Sequence, residues 1–360
     1  MNLTLFGYPK AGKTTLFNIL TGARAEVTAY EDAGRAPNEK IRPLPDAHLD
    51  AVSALYPDRR RVPAAADVVD LAGISAGEVK SSVLLNALRK ADGLIHVARG
   101  FRDELVPHAR PAVSPRDDIR SMEEELAIAD LVSIEARLEK LDKDLKKAKS
   151  AEGEKEHDLL ARLRAALEEG RALREFPFRG DEEKLVRSFA FLSRKPLLHL
   201  INADESDAGR LAAIEKDAGA ASPRPGTAIL AFCGRIEREI QEMESEEEKR
   251  VFMAEYGLAG TTPERVFPAA LALMETIFFY TVGKDEVRAW PLKRGSTALR
   301  AAGAVHTDIE HGFIRAEVVP SGVLLAHGSL HEAKERGAIR LEGKEYVVQD
   351  GDVVYFRFSA

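Results

Sequence analysis

Residues 7–15 read GYPKAGKTT and satisfy G-x-x-x-x-G-K-[S/T]. The motif follows an alternating run, Asn2–Phe6, and precedes a stretch of helical character, Thr14–Thr21. Strand, glycine-rich loop and helix in that order let backbone N–H groups curl around phosphate oxygens at a helix N-terminus. Lys10, Ala11, Gly12, Lys13, Thr14 and Thr15 then form the phosphate-side set. Lys13 reaches the β- and γ-phosphates, where it is a candidate catalytic group, and Thr14 offers its hydroxyl to Mg²⁺. A chain built on this unit needs crossover connections and a mostly parallel sheet. Short β-type runs at Asp67–Asp70, Leu94–Val97, Pro196–Ile201 and Thr227–Phe232, with helix-like stretches between them, supply it.

The run DVVDLAG carries a second motif. A β-run ends in Asp70, placed to hold Mg²⁺ through water, and Gly73 follows three residues later with an amide that can sense a γ-phosphate. Many nucleotide switches put a Gln directly after that glycine to orient the attacking water. This chain has Ile74, which cannot do so, and hydrolysis then needs another group or a partner.

Between the third and fourth β-runs the character changes. From Ser114-Pro115, an N-cap and first-turn pair, the chain is charged, alanine-rich and leucine-periodic. Leu131, Ile134, Leu138, Leu141 and Leu145 alternate spacings of three and four, Gly153 punctuates the run, and Leu160, Leu163 and Leu167 resume it. This predicts a helical hairpin inserted into the sheet domain. Its mixed charge suits a solvated arm as well as a binding surface. Beyond Phe278, the runs Glu345–Val348 and Asp352–Phe356, joined by Asp350-Gly351, predict a β-hairpin in a small closing α+β domain. The expected boundaries are 1–113 with 196–276 for the nucleotide domain, 114–195 for the arm and 277–360 for the closing domain.

Composition sets limits on these readings. A length of 360 residues with 45% hydrophobic content can bury two or three cores. One cysteine excludes an internal disulfide and a zinc cluster. No apolar run approaches a membrane span, and no N-terminal stretch looks like a signal peptide, so the chain reads as cytoplasmic with no membrane partner. A net charge of −7 argues against DNA or other nucleic acid held by bulk electrostatics.

Residues 202–205 read NADE, where a guanine-reading N-K-x-D would stand. Ala203 removes the ring-covering Lys, and Glu205 places its carboxylate differently from Asp. Neither change selects adenine by itself. With these motifs in place, the chain resembles the Obg-like ATPases of the YchF type nearly from end to end. The resemblance is carried by the phosphate loop followed by LFNILTG, by DVVDLAG, DDIRSMEEELAIADL and NADE, and by VGKDEVRAW, HTDIEHGFIRAEVV and LEGKEYVVQDGDVVYFRF. It implies a P-loop α/β domain, a coiled-coil insert and a C-terminal ubiquitin-like TGS domain, with ATP preferred to GTP and a ribosome or RNA partner. It also implies base-side roles for Asn202, Ala203, Glu205, Phe101, Cys233 and Gly234, and a catalytic loop position for His108. Core packing accounts equally for Phe101 and Cys233, and an ordinary surface loop for His108.

The chain departs from the family pattern at Lys10, where an Asn is usual, and at Gly34, where a Mg²⁺-binding Thr is expected and Thr28 is displaced. The second switch is also shortened, to ISAGEVKSS. Three functions follow: an ATPase switch with a slow basal rate, a nucleotide-binding module with negligible hydrolysis, or a P-loop kinase for a small metabolite, a plan to which neither NADE nor the TGS-like tail belongs.

Overall fold

The structure, a computed structural model, describes residues 1–27, 36–74, 82–103, 106, 112–221, 224–258 and 260–359. In chain order the strands are β1 (Asn2–Phe6), β2 (Asn38–Pro43), β3 (Arg60–Val62), β4 (Ala65–Asp70), β5 (Gly93–Gly100), β6 (Leu197–Ala203), β7 (Thr227–Phe232), β8 (Thr276–Val282), β9 (Glu286–Lys293), β10 (Phe313–Pro320), β11 (Arg340–Glu342) and β12 (Asp352–Phe358). They form two six-stranded sheets. Contacts divide the chain into two compact units, one of Asn2–Lys40 with Asp67–Leu273, the other of Met1, Ile41–Ala66 and Met274–Ala360.

The first sheet runs β2-β4-β1-β5-β6-β7. Its four pairings from β4 through β1, β5 and β6 to β7 are parallel. Every residue of β6 is buried, as are all of β5 but its last. That follows from strands covered on both faces, whose sequence is a continuous apolar run rather than an alternation. The chain leaves β1 towards β4 on one side and towards β5 on the other, so the carboxyl ends of these strands open onto a topological switch point, where such sheets bind ligands.

The arm consists of α4 (Pro115–Lys147) and α5 (Ala151–Glu168); the helices before it are α1 (Lys13–Thr21), α2 (Ala47–Ala54) and α3 (Ser82–Lys90). Ser114 caps α4 by accepting from Asp117 N, Pro115 opens its first turn, and Lys146 and Lys147 close its last. Acid at the start and base at the end suit the helix dipole. The break lies at residues 148–150 rather than at Gly153. Ser150 caps α5 and accepts from Gly153 N at 3.0 Å. Gly153 sits inside the first turn because a Cβ there would meet Ser150 Oγ at 2.8 Å and Leu145 Cδ2 at 3.1 Å.

Ile134, Leu138 and Leu141 of α4 pack against Leu159, Leu160, Leu163 and Leu167 of α5. Arg137 clamps Glu156 with two bonds of 2.8 and 2.7 Å. Nearer the sheet, the buried Asp130 carboxylate accepts from Leu192 N, Ser193 N and Ser193 Oγ at 2.6–2.8 Å, tying the outgoing helix to the returning chain.

The second sheet runs β11-β10-β12-β8-β9-β3, with β12 parallel to β8 and β10 antiparallel to both β11 and β12. Ile277, Phe279, Val318, Val354 and Phe356 face the alanines Ala298, Ala301 and Ala302 of the helix Ala298–Val305, whose small side chains let it lie close to the sheet.

Two sequence expectations change here. Glu345–Val348 is not a strand; Val347 makes one isolated bridge, to Thr297, and no hairpin forms. The Asp352 carboxylate accepts from Gln349 N at 2.9 Å and Tyr346 Oη at 2.8 Å, which folds the segment into a turn that feeds β12 towards β10 and β8. Residues 41–66, read as nucleotide domain, group instead with the C-terminal residues. Within that unit β3 pairs with β9, and Tyr280 Oη donates to Asp46, the cap of α2, at 2.9 Å. Among the described residues no helix is long and apolar enough to cross a membrane.

Truncating Leu163 to Ala removes a fully buried side chain from the arm and should cost about 2–5 kcal/mol locally. Hydrogen exchange should show the amides of α4 and α5 losing protection while those of β1 and β5 keep theirs.

Candidate functional site

Gly7 leaves β1 at φ +142, where a Cβ would lie 2.5 Å from Val97 O, so only glycine lets the loop turn against β5. Lys10 holds a left-handed φ of 59, a conformation that β-carbon sterics penalise and that recurs at ligand sites. Gly12 stands at the N-cap of α1 with φ 99, and no side chain caps the helix. The first amides of α1 are thereby left to an incoming anion. Lys13 is buried and its Nζ donates to Tyr8 O at 2.8 Å, folded back across the loop.

Thr14 Oγ1 donates to Asp70 Oδ2 at 2.8 Å, joining the two motifs read from sequence. Asn38 Nδ2 donates to the same carboxylate oxygen at 2.8 Å. Asn38 has no role assigned from sequence, where Pro37-Asn38-Glu39 serves only to count back to Gly34, and the pairing of β2 beside β4 brings it there. The Thr14 hydroxyl and the Asp70 carboxylate are hard oxygen donors of the kind Mg²⁺ takes, and the Asn38 N–H orients the carboxylate beside them. Ile74 is buried in the core beside Phe6, Tyr8 and Leu71, and its N–H donates to Gly7 O at 3.0 Å, so it cannot address a water. Gly73, immediately before it, stands in the segment that closes on the phosphate loop. Thr28, Gly34, residues 75–81 of the second switch and His108 lie outside the described residues.

On the base side, Asn202 at the end of β6 is buried and fully engaged. Its Nδ2 donates to Ala11 O at 3.1 Å and its Oδ1 accepts from Gly234 N at 3.0 Å. The tie leaves no room at Gly12, where a Cβ would fall 2.2 Å from Asn202 Nδ2. Ala203 is buried at the strand end. Asp204 is committed to structure, capping the next turn through Ser206 N at 3.2 Å and accepting from Arg102 N at 3.2 Å. Glu205 faces Arg235, with Nε to Oε2 at 3.2 Å.

Phe101 lies under the Arg99 guanidinium at 4.4 Å. Cys233 is buried at the N-cap of the helix Gly234–Glu242, where burial pushes its thiol up and keeps it protonated. These elements enclose a cleft of about 710 Å³ that Lys10, Gly12, Thr15, Phe101, Asn202 and Glu205 all line, within the size range of small-molecule sites.

Beneath the phosphate loop runs a buried polar chain that periodicity could not reveal, although two histidines in apolar strands were visible. His96 and His199 occupy the same register on β5 and β6, with their Nδ1 atoms 3.0 Å apart. His199 Nε2 lies 3.1 Å from Glu123 of α4, and Glu123 also takes Arg174 at 3.3 Å and Arg224 at 2.9 Å. A carboxylate only accepts, so His199 Nε2 carries its proton, His199 Nδ1 accepts, and His96 Nδ1 donates to it. Both rings are neutral. Burial lowers His96 well below the ordinary value, helped by His199 and Lys13, and burial lowers His199 against the pull of Glu123. Burial would raise Glu123, but the His199 hydrogen bond and the Arg174 and Arg224 charges bring it below the usual carboxylate range.

With strand, loop, helix, D-x-x-G segment and base loop on one sheet edge, the first unit is a P-loop nucleotide-binding domain of the GTPase type. A profile described as 50S ribosome-binding GTPase matches residues 2–157, and the YchF-GTPase C-terminal profile, described as a protein of unknown function, matches residues 276–359. The chain is 37% identical to the ribosome-binding ATPase YchF of Bacillus subtilis, over 99% of this chain and 98% of that one. It is 32% identical to Obg-like ATPase 1 of Oryza sativa subsp. japonica, over 100% of this chain and 92% of that one. The solved structure of the Schizosaccharomyces pombe YchF GTPase superposes with a TM-score of 0.82 at 25% identity, covering 99% of this chain and 97% of its own. The chain belongs to the YchF family.

The neutral histidine pair has a pH consequence. Unfolded histidines take up protons below about pH 6.5, whereas the folded pair resists protonation. The stability this contributes is complete above that value and is lost as pH falls through it. His199→Gln keeps an acceptor for His96 and a donor for Glu123 but does not titrate. Thermal midpoints between pH 7 and pH 5 should therefore fall less steeply in this variant than in the wild type.

Proposed function

We propose that this protein binds MgATP in preference to GTP, hydrolyses it slowly to ADP and phosphate, and couples the nucleotide state to a ribosome. The observation that carries the reading is the meeting of Thr14, Asp70 and Asn38 at the mouth of α1. The phosphates lie along the open amides of α1, and Lys13 turns from Tyr8 O to the β- and γ-phosphates. Gly73 reports the γ-phosphate through its amide. Thr14 and Asp70 would hold Mg²⁺, with Asn38 beside them, and the ion would supply charge neutralisation on the phosphates.

Ile74 leaves the attacking water without a side chain at the usual position, and His108 is the candidate to supply one. An unassisted P-loop switch turns over at about 10⁻⁴ s⁻¹, and a supplied group adds up to about 10⁵-fold, so the basal rate should sit near the low end. The ribosome enters from the names of the relatives, which call them ribosome-binding, and suggests the cytoplasm as the place of action. The packing of Ile74 into the core favours a second reading, a module that binds nucleotide with negligible hydrolysis.

A measurable wild-type ATPase rate that vanishes in Lys13→Ala supports the first reading. Tight binding with no turnover above the Lys13→Ala background supports the second. Asp70→Asn should weaken the Mg²⁺ dependence of binding by roughly tenfold, read by calorimetric titration with a non-hydrolysable ATP analogue at varied Mg²⁺. Co-sedimentation with ribosomes should change between the ATP analogue and ADP, and equal pelleting in both states would remove the proposed coupling.

A further inference from the structure

Glu205, at the start of the 3-10 turn Glu205–Arg210, and Arg235, in the first turn of the helix Gly234–Glu242, meet at the base cleft, and both line it. Each is fixed by its immediate neighbour. Asp204, held by Arg102 N and Ser206 N, sets where Glu205 leaves the chain. Gly234, held by Asn202 Oδ1, sets where Arg235 leaves it. Arg235 Nε lies 3.2 Å from Glu205 and 4.0 Å from Glu239 one turn on, so its Nη atoms remain as donors beyond the pair. Both side chains are accessible, 73% and 38% exposed, and a bound base can reach them.

We infer that Arg235 is a base-specificity residue, acting with Glu205 as a donor–acceptor pair that matches the Watson–Crick edge of adenine and opposes that of guanine. This rests on the nucleotide-binding reading above. A lone carboxylate at this position accepts from the guanine N1–H and amino group and so favours guanine. An arginine beside it reverses the pattern. Adenine presents an amino donor at position 6, which Glu205 accepts, and a bare N1, to which Arg235 donates. Guanine presents O6 to the carboxylate, acceptor against acceptor, and N1–H to the guanidinium, donor against donor. Each mismatch sets like groups against each other, and at a pair this accessible the discrimination is on the scale of one charge-assisted hydrogen bond. Ala203 offers no side-chain polar group to the base, so the pair has no competing reader in that motif.

The test is calorimetric titration of the full chain with non-hydrolysable ATP, GTP and ITP analogues, each with Mg²⁺. ITP shares O6 and N1–H with GTP but lacks the 2-amino group, which isolates the two contacts in question. The wild type should bind the ATP analogue best and the other two similarly. Arg235→Ala should shrink the ATP:ITP ratio by about tenfold, the scale of one charge-assisted hydrogen bond, and Arg235→Lys should restore part of it. A merely structural role would weaken all three analogues together. An unchanged ratio in Arg235→Ala, or equal wild-type binding of ATP and ITP analogues, overturns the inference and leaves nucleotide binding intact. No wild-type binding, or binding unaffected by Lys13→Ala, overturns the nucleotide reading and the inference with it.

Discussion

One carboxamide holds the site together. Asn202 donates to the phosphate loop at Ala11 and accepts from the base-side helix at Gly234, so the halves of the cleft that would hold phosphate and base are joined through a single buried side chain. Each bond is of ordinary strength, worth about 1 kcal/mol net, but losing the side chain would orphan two buried backbone groups. The surrounding sequence follows from the tie. Gly12 must be glycine because the carboxamide occupies its β-carbon position, and Gly234 is confined by Asn202 Oδ1 and Thr15. A residue that looks from its motif like a base reader is therefore first a brace between the two halves.

What could be read in advance divides along the range of the interaction. The phosphate loop was legible because its motif is local: Gly7, Gly12 and Lys13 fall within nine residues, although the atoms that exclude a Cβ at the two glycines, Val97 O and Asn202 Nδ2, come from distant strands. The arm was legible because Ile134, Leu138, Leu160 and Leu163 repeat the helix period, although the turn fell at Ser150, whose capping hydroxyl outweighs the glycine that follows. Long-range placements were not legible. Asn38 reaches Asp70 only through strand order, and the Glu345–Val348 run, apolar and alternating like a strand, is bent by the Asp352 carboxylate into a turn instead. Propensity lost there to a specific polar contact.

The histidine, glutamate and arginine chain beneath the phosphate loop joins elements that periodicity treats as unrelated. It starts at His96, whose ring lies 3.2 Å from where a Gly7 side chain would be, and ends on Glu123 in the root of the arm, with Arg174 from the 3-10 turn after the arm and Arg224 from the segment before β7. Each member orients the next by the limited donors and acceptors it has. The arm therefore does not hang from the sheet by apolar packing alone; its base is keyed by polarity to the floor of the nucleotide loop.

The segment 41–66 bears on how the chain is made. Arg60 of β3 and its partner Glu286 of β9 are 226 positions apart. At bacterial or eukaryotic synthesis rates of about 5–20 residues per second, the early strand waits roughly 10–45 s for its neighbour to be translated. The first unit can complete its parallel sheet in that interval, but the second cannot begin to close until the end of the chain emerges. A cut near residue 274 would not release a whole C-terminal domain; it would leave a sheet without its outer strand and an upstream loop without its partner.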